Sequence, residues 1–174
     1  LRGISPYSES PEIFNHFECV VIHTAPLPYG RGGSPIQNLI MHGLTKSPVC
    51  AIRMTGELDG GPIYDSAEIS LDGPIEDIFA RIAVVAEKLI LNIVKNEPVP
   101  KEQVGEPFLF TRRTPDQSEL PISAQLKEWY DRIRMVDSPE YPRAFLRCGD
   151  FKLEFSNAAF DGQTLTATVK IDKK

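Results

Sequence analysis

Apolar and polar positions divide the chain into a short series of regular elements. Residues 18–23 (ECVVIH) form a continuous apolar run closed by a histidine. Such runs read as strands covered on both faces, the habit of parallel sheets. Residues 48–55 (PVCAIRMT) predict a second strand, and 63–71 a third with partial alternation. Ile75, Ile78, Phe79, Ile82, Val85, Leu89 and Ile93 recur at spacings of three and four. That stripe predicts one long helix, opening at the Asp72-Gly73-Pro74 turn and ending near Asn96, whose task is to cover the sheet. Shorter helices are predicted over 11–17, with Ser10 as N-cap and Pro11 in the first turn, and over 35–42, with Ser34 as N-cap and Gly43 as the stop.

Residues 97–122 are interrupted by Pro98, Pro100, Pro107, Pro115 and Pro121 and read as a linker around a short FLF segment. A helix follows from Ser123 to about Val136, then short strands over 144–147, 152–155 and 165–171, with turns at Gly149-Asp150 and Asp161-Gly162. The element order predicts half of an open, mostly parallel α/β sheet over 1–120 and a small β-rich unit over 121–174.

Composition narrows the function classes. The 174 residues are 41% hydrophobic and 25% charged, enough chain for one real core. Net charge is -5, and Arg112-Arg113 is the only adjacent basic pair before Lys173-Lys174. Bulk nucleic-acid binding needs clustered Lys and Arg, so the balance argues against it. No apolar run reaches the roughly 18 residues of a membrane span, and the front shows no signal-peptide pattern. Cys19, Cys50 and Cys148 make no disulfide framework, which points to a reduced, cytoplasmic setting with Cys19 and Cys50 as core fillers. The chain opens on Leu1 rather than Met, and an excised or trimmed chain is expected.

The candidate chemistry gathers at two glycine loops. The first, HTAPLPYGRGGSPIQ over 23–37, follows a strand directly. Gly30, Gly32 and Gly33 allow backbone N–H groups to approach a ligand, while Pro26, Pro28 and Pro35 stiffen the path. The second, GELDGGP over 56–62, carries Asp59. Ligands of open α/β sheets bind beyond the carboxyl ends of the strands, where both loops sit. A strand-end His23 is commonly a histidine bonded to backbone, and Asp59 commonly a turn residue. Together they become a base and its orienter, able to accept and return a proton near neutral pH. A zinc site from His16, Cys19 and His23 is set aside, because their spacing on an extended segment shares no side. Ser34 with His23 and Asp59 could mimic a hydrolytic triad, but no G-x-S-x-G elbow is present. Arg112-Arg113 reads as a solvated pair.

The stretch His23-Thr24-Ala25-Pro26-Leu27-Pro28-Tyr29-Gly30-Arg31-Gly32-Gly33-Ser34-Pro35-Ile36-Gln37, with Glu57-Leu58-Asp59-Gly60-Gly61-Pro62-Ile63 beyond it, resembles the 10-formyltetrahydrofolate-dependent formyltransferase family. Residues 126–155 resemble the start of the C-terminal domain of methionyl-tRNA formyltransferases. The first motif also resembles relatives that act on amino sugars. The resemblance covers about residues 11–155. It implies a partial Rossmann-like catalytic domain over 1–120, lacking the family's first half, and a C-terminal unit over 121–174.

It also implies an activity: formyl transfer from 10-formyltetrahydrofolate to an amine acceptor, a small amino-sugar nucleotide rather than transfer RNA. His23 and Asp59 match the family's catalytic His and Asp. The family's catalytic Asn falls at Val21, which offers no donor. Losing one such donor costs on the order of 10²–10³-fold in rate. Gln37, Ser34, Thr24 or a loop N–H are the candidate substitutes. Thr55, Gly56, Glu57 and Leu58 are expected against the folate, and Thr24, Arg31, Ser34 and Gln37 near the acceptor. A homodimer is also among the expectations. A formyltetrahydrofolate hydrolase and a non-catalytic folate- or nucleotide-binding relative stay open as alternatives.

Overall fold

The computed structural model describes residues 11–173. The expected N-cap Ser10 and the polar opening segment lie outside them. The fold is α/β. The elements in chain order are α1 (Pro11–His16), β1 (Val20–Thr24), β2 (Tyr29–Gly32), α2 (Pro35–Met41), β3 (Lys46–Arg53), β4 (Ile63–Ser70), α3 (Ile75–Asn96), β5 (Phe108–Phe110), α4 (Leu126–Arg134), β6 (Ala144–Cys148), β7 (Phe151–Phe160) and β8 (Leu165–Lys173).

Among the described residues three sheets form, in the orders β1-β3-β4, β2-β5 and β6-β7-β8. The expectation of a mostly parallel sheet fails among the described residues. Strand β3 runs antiparallel to both β1 and β4, with Val20 opposite Arg53, His23 opposite Cys50 and Cys50 opposite Ser66. The physical reason lies in the connections. A continuous apolar run reports burial on both faces, and Val49, Cys50, Ala51 and Ile52 are indeed all buried. It carries no information on direction. Parallel pairing needs a crossover that returns the chain along the strand. The seven residues of α2 span roughly 10 Å, far less than the ~26 Å of the eight-residue β3. The β3–β4 link, residues 54–62, holds no helix at all.

The first glycine stretch also holds more structure than a loop. Tyr29–Gly32 pairs in parallel with the FLF segment, Phe108–Phe110. Gly32 has φ +101°, and a Cβ there would lie 2.4 Å from the Phe110 carbonyl oxygen. Glycine is required here by close packing of two backbones.

Helix α3 follows its sequence pattern closely. Glu76 and Asp77 occupy the first turn and Lys95 the last, each favourable to the helix dipole. Ile75, Ile78 and Leu89 are buried, while Phe79, Ile82, Val85 and Ile93 pack around them half-buried. One buried cluster runs from Ile36, Leu39, Val49, Leu71 and Ile78 through to Ile133, Met135 and Ala144. Arg134 on α4 strengthens that junction: its Nη1 donates to the carbonyls of Leu71 (2.7 Å) and Gly73 (2.8 Å). Burial pushes the Cys50 thiol up to about 11, so it stays protonated as a core residue. Cys19 is only half-buried.

Replacing Gly32 tests the backbone contact. Gly32→Ala is expected to lower unfolding free energy by about 1–3 kcal/mol in urea denaturation. Gly56→Ala meets no atom within 4 Å and is expected within about 0.5 kcal/mol of the parent. Equal midpoints for the two variants would contradict the packing role.

Candidate active site

His23 occupies the carboxyl end of β1 and is buried. Its Nε2 lies 2.9 Å from the Gly30 carbonyl oxygen, and its Nδ1 lies 3.6 Å from Asp59 Oδ2. A carbonyl only accepts, so the Nε2 facing it carries the hydrogen. Nδ1 is then the nitrogen left to gain or lose a proton, and protonation there forms an ion pair with Asp59. Both side chains are 7% exposed.

Asp59 reaches this position through a left-handed backbone, φ 46°, which aspartate tolerates better than most residues. The Gly32 N–H donates to the same Oδ2 at 2.8 Å. Behind the turn, a Cβ on Gly61 would lie 1.8 Å from the Arg53 carbonyl oxygen, so only glycine lets the loop fold back on the end of β3.

A residue not singled out in the sequence completes the arrangement. Gln103, from the proline-rich linker, accepts at Oε1 from Arg31 Nε (3.0 Å) and Nη2 (2.8 Å). Its Nε2 donates to the carbonyls of Asp59 (2.8 Å) and Gly61 (2.9 Å). One amide thus joins the first glycine stretch to the second. No periodicity or motif marks such a residue; its role exists only once three distant segments meet.

Several other expected residues are placed differently from the sequence reading. Arg31, expected near the acceptor, is buried and directs its donors to Gln103 and, through Nη1, to Glu57. Gln37 is buried, with Nε2 3.4 Å from the Met135 carbonyl oxygen. Ser34 makes no side-chain cap on α2; its Oγ accepts the Arg113 backbone N–H at 3.1 Å. The loop amides expected to face a ligand turn inward: Gly32 N–H to Asp59 and Gly33 N–H to the Phe110 carbonyl. Thr55, Gly56 and Glu57 lie exposed beyond β3, Leu58 is half-buried, and Thr55 Oγ1 accepts the Glu57 N–H at 3.3 Å.

A cleft of about 560 Å³ opens beside His23. Thr24, Ser34 and Gln37 line it with His23, and Phe79 and Ile82 form an apolar wall. Arg112, Arg113 and Tyr141 also border it.

The family described as "Methionyl-tRNA formyltransferase, C-terminal domain" matches residues 115–172. The structure is similar to the methionyl-tRNA formyltransferase of Clostridium thermocellum, at 42% identity and a TM-score of 0.90, over 94% of this chain and 73% of that one. The chain belongs to the formyltransferase family. Other similar structures include HypX from Aquifex aeolicus in complex with tetrahydrofolic acid, at 16% identity and TM-score 0.68, over 84% of this chain and 27% of that one. A 4-N formyltransferase from Francisella tularensis follows at 20% identity and TM-score 0.65, over 79% of this chain and 60% of that one. Those two likenesses concern the fold alone. The chain spans about half the length of the curated relatives it matches.

Val21 sits two residues before His23 and on the same face of β1, opposite Ile52. It is half-buried and carries no polar group.

The Gln103 junction makes a stability prediction. Gln103→Leu removes partners from Arg31 and from two carbonyls at once. It is expected to cost about 2–4 kcal/mol in urea denaturation. Glu102→Leu, one residue away and exposed, is expected within about 0.5 kcal/mol of the parent. Indistinguishable midpoints would contradict the joining role of Gln103.

Proposed function

We propose that the chain transfers a formyl group from 10-formyltetrahydrofolate to an amine, in particular an amino-sugar nucleotide. The observation that carries this reading is the buried His23–Asp59 pair, with 3.6 Å between Nδ1 and Oδ2, at the edge of a cleft of small-molecule size. The fold shared with a tetrahydrofolate-bound HypX supports a folate donor. The net charge of -5 supports a small acceptor, while the 42% identity to a methionyl-tRNA formyltransferase supports transfer RNA as the competing acceptor. On this reading residues 1–120 form the catalytic unit, residues 121–174 form the small C-terminal unit, and the protein works in the cytoplasm.

The residues fit a carbonyl group with one exception. His23 receives, at Nδ1, the proton that the amine releases on attack. Asp59 stabilises the resulting imidazolium and holds the ring plane, and the Gly32 N–H keeps the carboxylate from turning away. His23 then returns the proton to the nitrogen that leaves, so the ring ends as it began. Thr55, Gly56, Glu57 and Leu58 border the donor, and Thr24 and Ser34 the acceptor. Arg31 supports the site from behind, and Gln37 lines the cleft. The folate supplies the activated formyl group.

The exception is the missing donor at Val21. The Gly32 and Gly33 amides already have acceptors within the protein, and one of the two Gln37 Nε2 hydrogens faces the Met135 carbonyl at 3.4 Å. Of the substitutes considered, the hydroxyls of Thr24 and Ser34 and the second amide hydrogen of Gln37 are left to donate toward the cleft those residues line. The same Val21 favours a second reading, a folate-binding relative without turnover.

Release of tetrahydrofolate, followed with and without amino-sugar nucleotides, separates these readings. Amine-dependent release is expected, falling about 10²–10⁴-fold in His23→Ala and in Asp59→Ala. Val21→Asn is expected to raise the rate by up to about 10²-fold. Wild-type rates in both alanine variants would exclude the proposed roles. Release without amine would identify a hydrolase, and binding without release the non-catalytic relative.

A further inference from the structure

The loop between β3 and β4 has two parts with different supports. Its later part carries Asp59, and Gln103 grips the carbonyls of Asp59 and Gly61 at 2.8 and 2.9 Å. Its earlier part, residues 55–58, has mainly local support. The Glu57 N–H donates to Thr55 Oγ1 at 3.3 Å, Thr55 Oγ1 donates to the Glu57 carbonyl at 3.4 Å, and the Gly60 N–H donates to the same carbonyl at 3.2 Å. Among the described residues, one polar contact ties residues 55–58 to a distant part of the chain. It is made by the Glu57 carboxylate, whose Oε1 accepts from Arg31 Nη1.

The loop itself sets the path of that side chain. A Cβ on Gly60 would lie 2.5 Å from Glu57 Oε2, so the carboxylate occupies the space that a side chain at position 60 would take. The two partners are unequal: the Arg31 side chain is 8% exposed and that of Glu57 66%. The guanidinium is already fixed, because Nε and Nη2 both donate to Gln103 Oε1. An exposed ion pair usually contributes little, since two flexible side chains must be ordered to form it. Here only the carboxylate has to be ordered, against a buried planar cation that presents Nη1 at a fixed place. One guanidinium thereby serves both parts of the loop, Asp59 through Gln103 and residues 55–58 through Glu57.

We propose that Glu57 is a positioning residue for the formyl donor: its carboxylate, seated on Arg31, holds the backbone of residues 55–58 in the shape that receives the folate. It takes no part in the proton transfers at His23. The identity of the ligand rests on the formyl-transfer reading, whereas the hold on the loop does not. A direct electrostatic role has the opposite sign, because a carboxylate at this place repels the carboxylates of a folate.

Calorimetric titration of the 174-residue chain with tetrahydrofolate tests the role, together with hydrogen exchange in the ligand-free protein. Glu57→Ala is expected to weaken tetrahydrofolate binding about tenfold, and Glu57→Gln, which keeps an acceptor oxygen, by less. Gly60→Ala keeps the carboxylate but displaces it, since the atoms nearest the new Cβ all belong to Glu57. It is expected to weaken binding as much as Glu57→Ala does, and the two changes together no more than either alone. Without ligand, the Gly60 amide is expected to exchange at least about threefold faster in Glu57→Ala, while the Gly32 amide, bonded to Asp59, keeps its protection. In turnover, the KM for the donor is expected to rise by a larger factor than kcat falls. Equal or tighter tetrahydrofolate binding in Glu57→Ala and Gly60→Ala would overturn the proposal. A parent chain that binds no tetrahydrofolate would overturn the donor assignment. Gly60 exchange that still depended on Glu57 would then place the failure in the formyl-transfer reading and leave the hold on the loop standing.

Discussion

A single carboxylate oxygen connects the two loops on which the candidate site depends. Asp59 Oδ2 accepts the Gly32 amide at 2.8 Å and faces His23 Nδ1 at 3.6 Å. A carboxylate with 7% exposure is costly to bury unless its lone pairs are occupied. The left-handed φ of 46° adds backbone strain on the order of 1 kcal/mol. Gln103 offsets them by gripping the carbonyls of Asp59 and Gly61 while its oxygen takes two donors from Arg31. The histidine is thereby oriented by a structure several residues deep.

The surrounding fold keeps those loops from drifting. Gly32 and Gly33 allow β2 and the following turn to lie directly against residues 110–112. Helix α3 covers the β1-β3-β4 sheet, and the Arg134 contacts fasten α4 to the turn that begins α3. The proline-rich stretch also reaches the candidate site: Gln103 joins its two loops, and Arg112 and Arg113 border the cleft. Cleft, base and carboxylate are consequently products of one contiguous packing arrangement.

Which features could be read beforehand follows from how local their causes are. The α3 stripe from Ile75 to Ile93 was legible because burial on one helical face leaves a period. His23 and Asp59 were legible because glycines and prolines at strand ends mark loops that hold side chains close together. Strand direction was hidden, since the apolar run in Val49–Ile52 is the same whichever way its neighbours point. The inward-turned amides of Gly32 and Gly33 were also hidden: glycine signals close approach, and what approaches is decided by β5, more than seventy residues later. Gln103 carries no local signature at all, being an ordinary polar residue in a proline-rich stretch, and the Arg112-Arg113 pair was visible only as adjacent basic residues, without a sign of the cleft it borders.

The most direct test of the central contact is amide hydrogen exchange at Gly32. If Asp59 holds this N–H, the amide is protected in the parent protein and exchanges at least about tenfold faster in Asp59→Ala, consistent with the loss of one charge-assisted hydrogen bond. The Gly33 amide, bonded to the Phe110 carbonyl, retains its protection in the same variant. Equal Gly32 exchange in the two proteins would contradict the account.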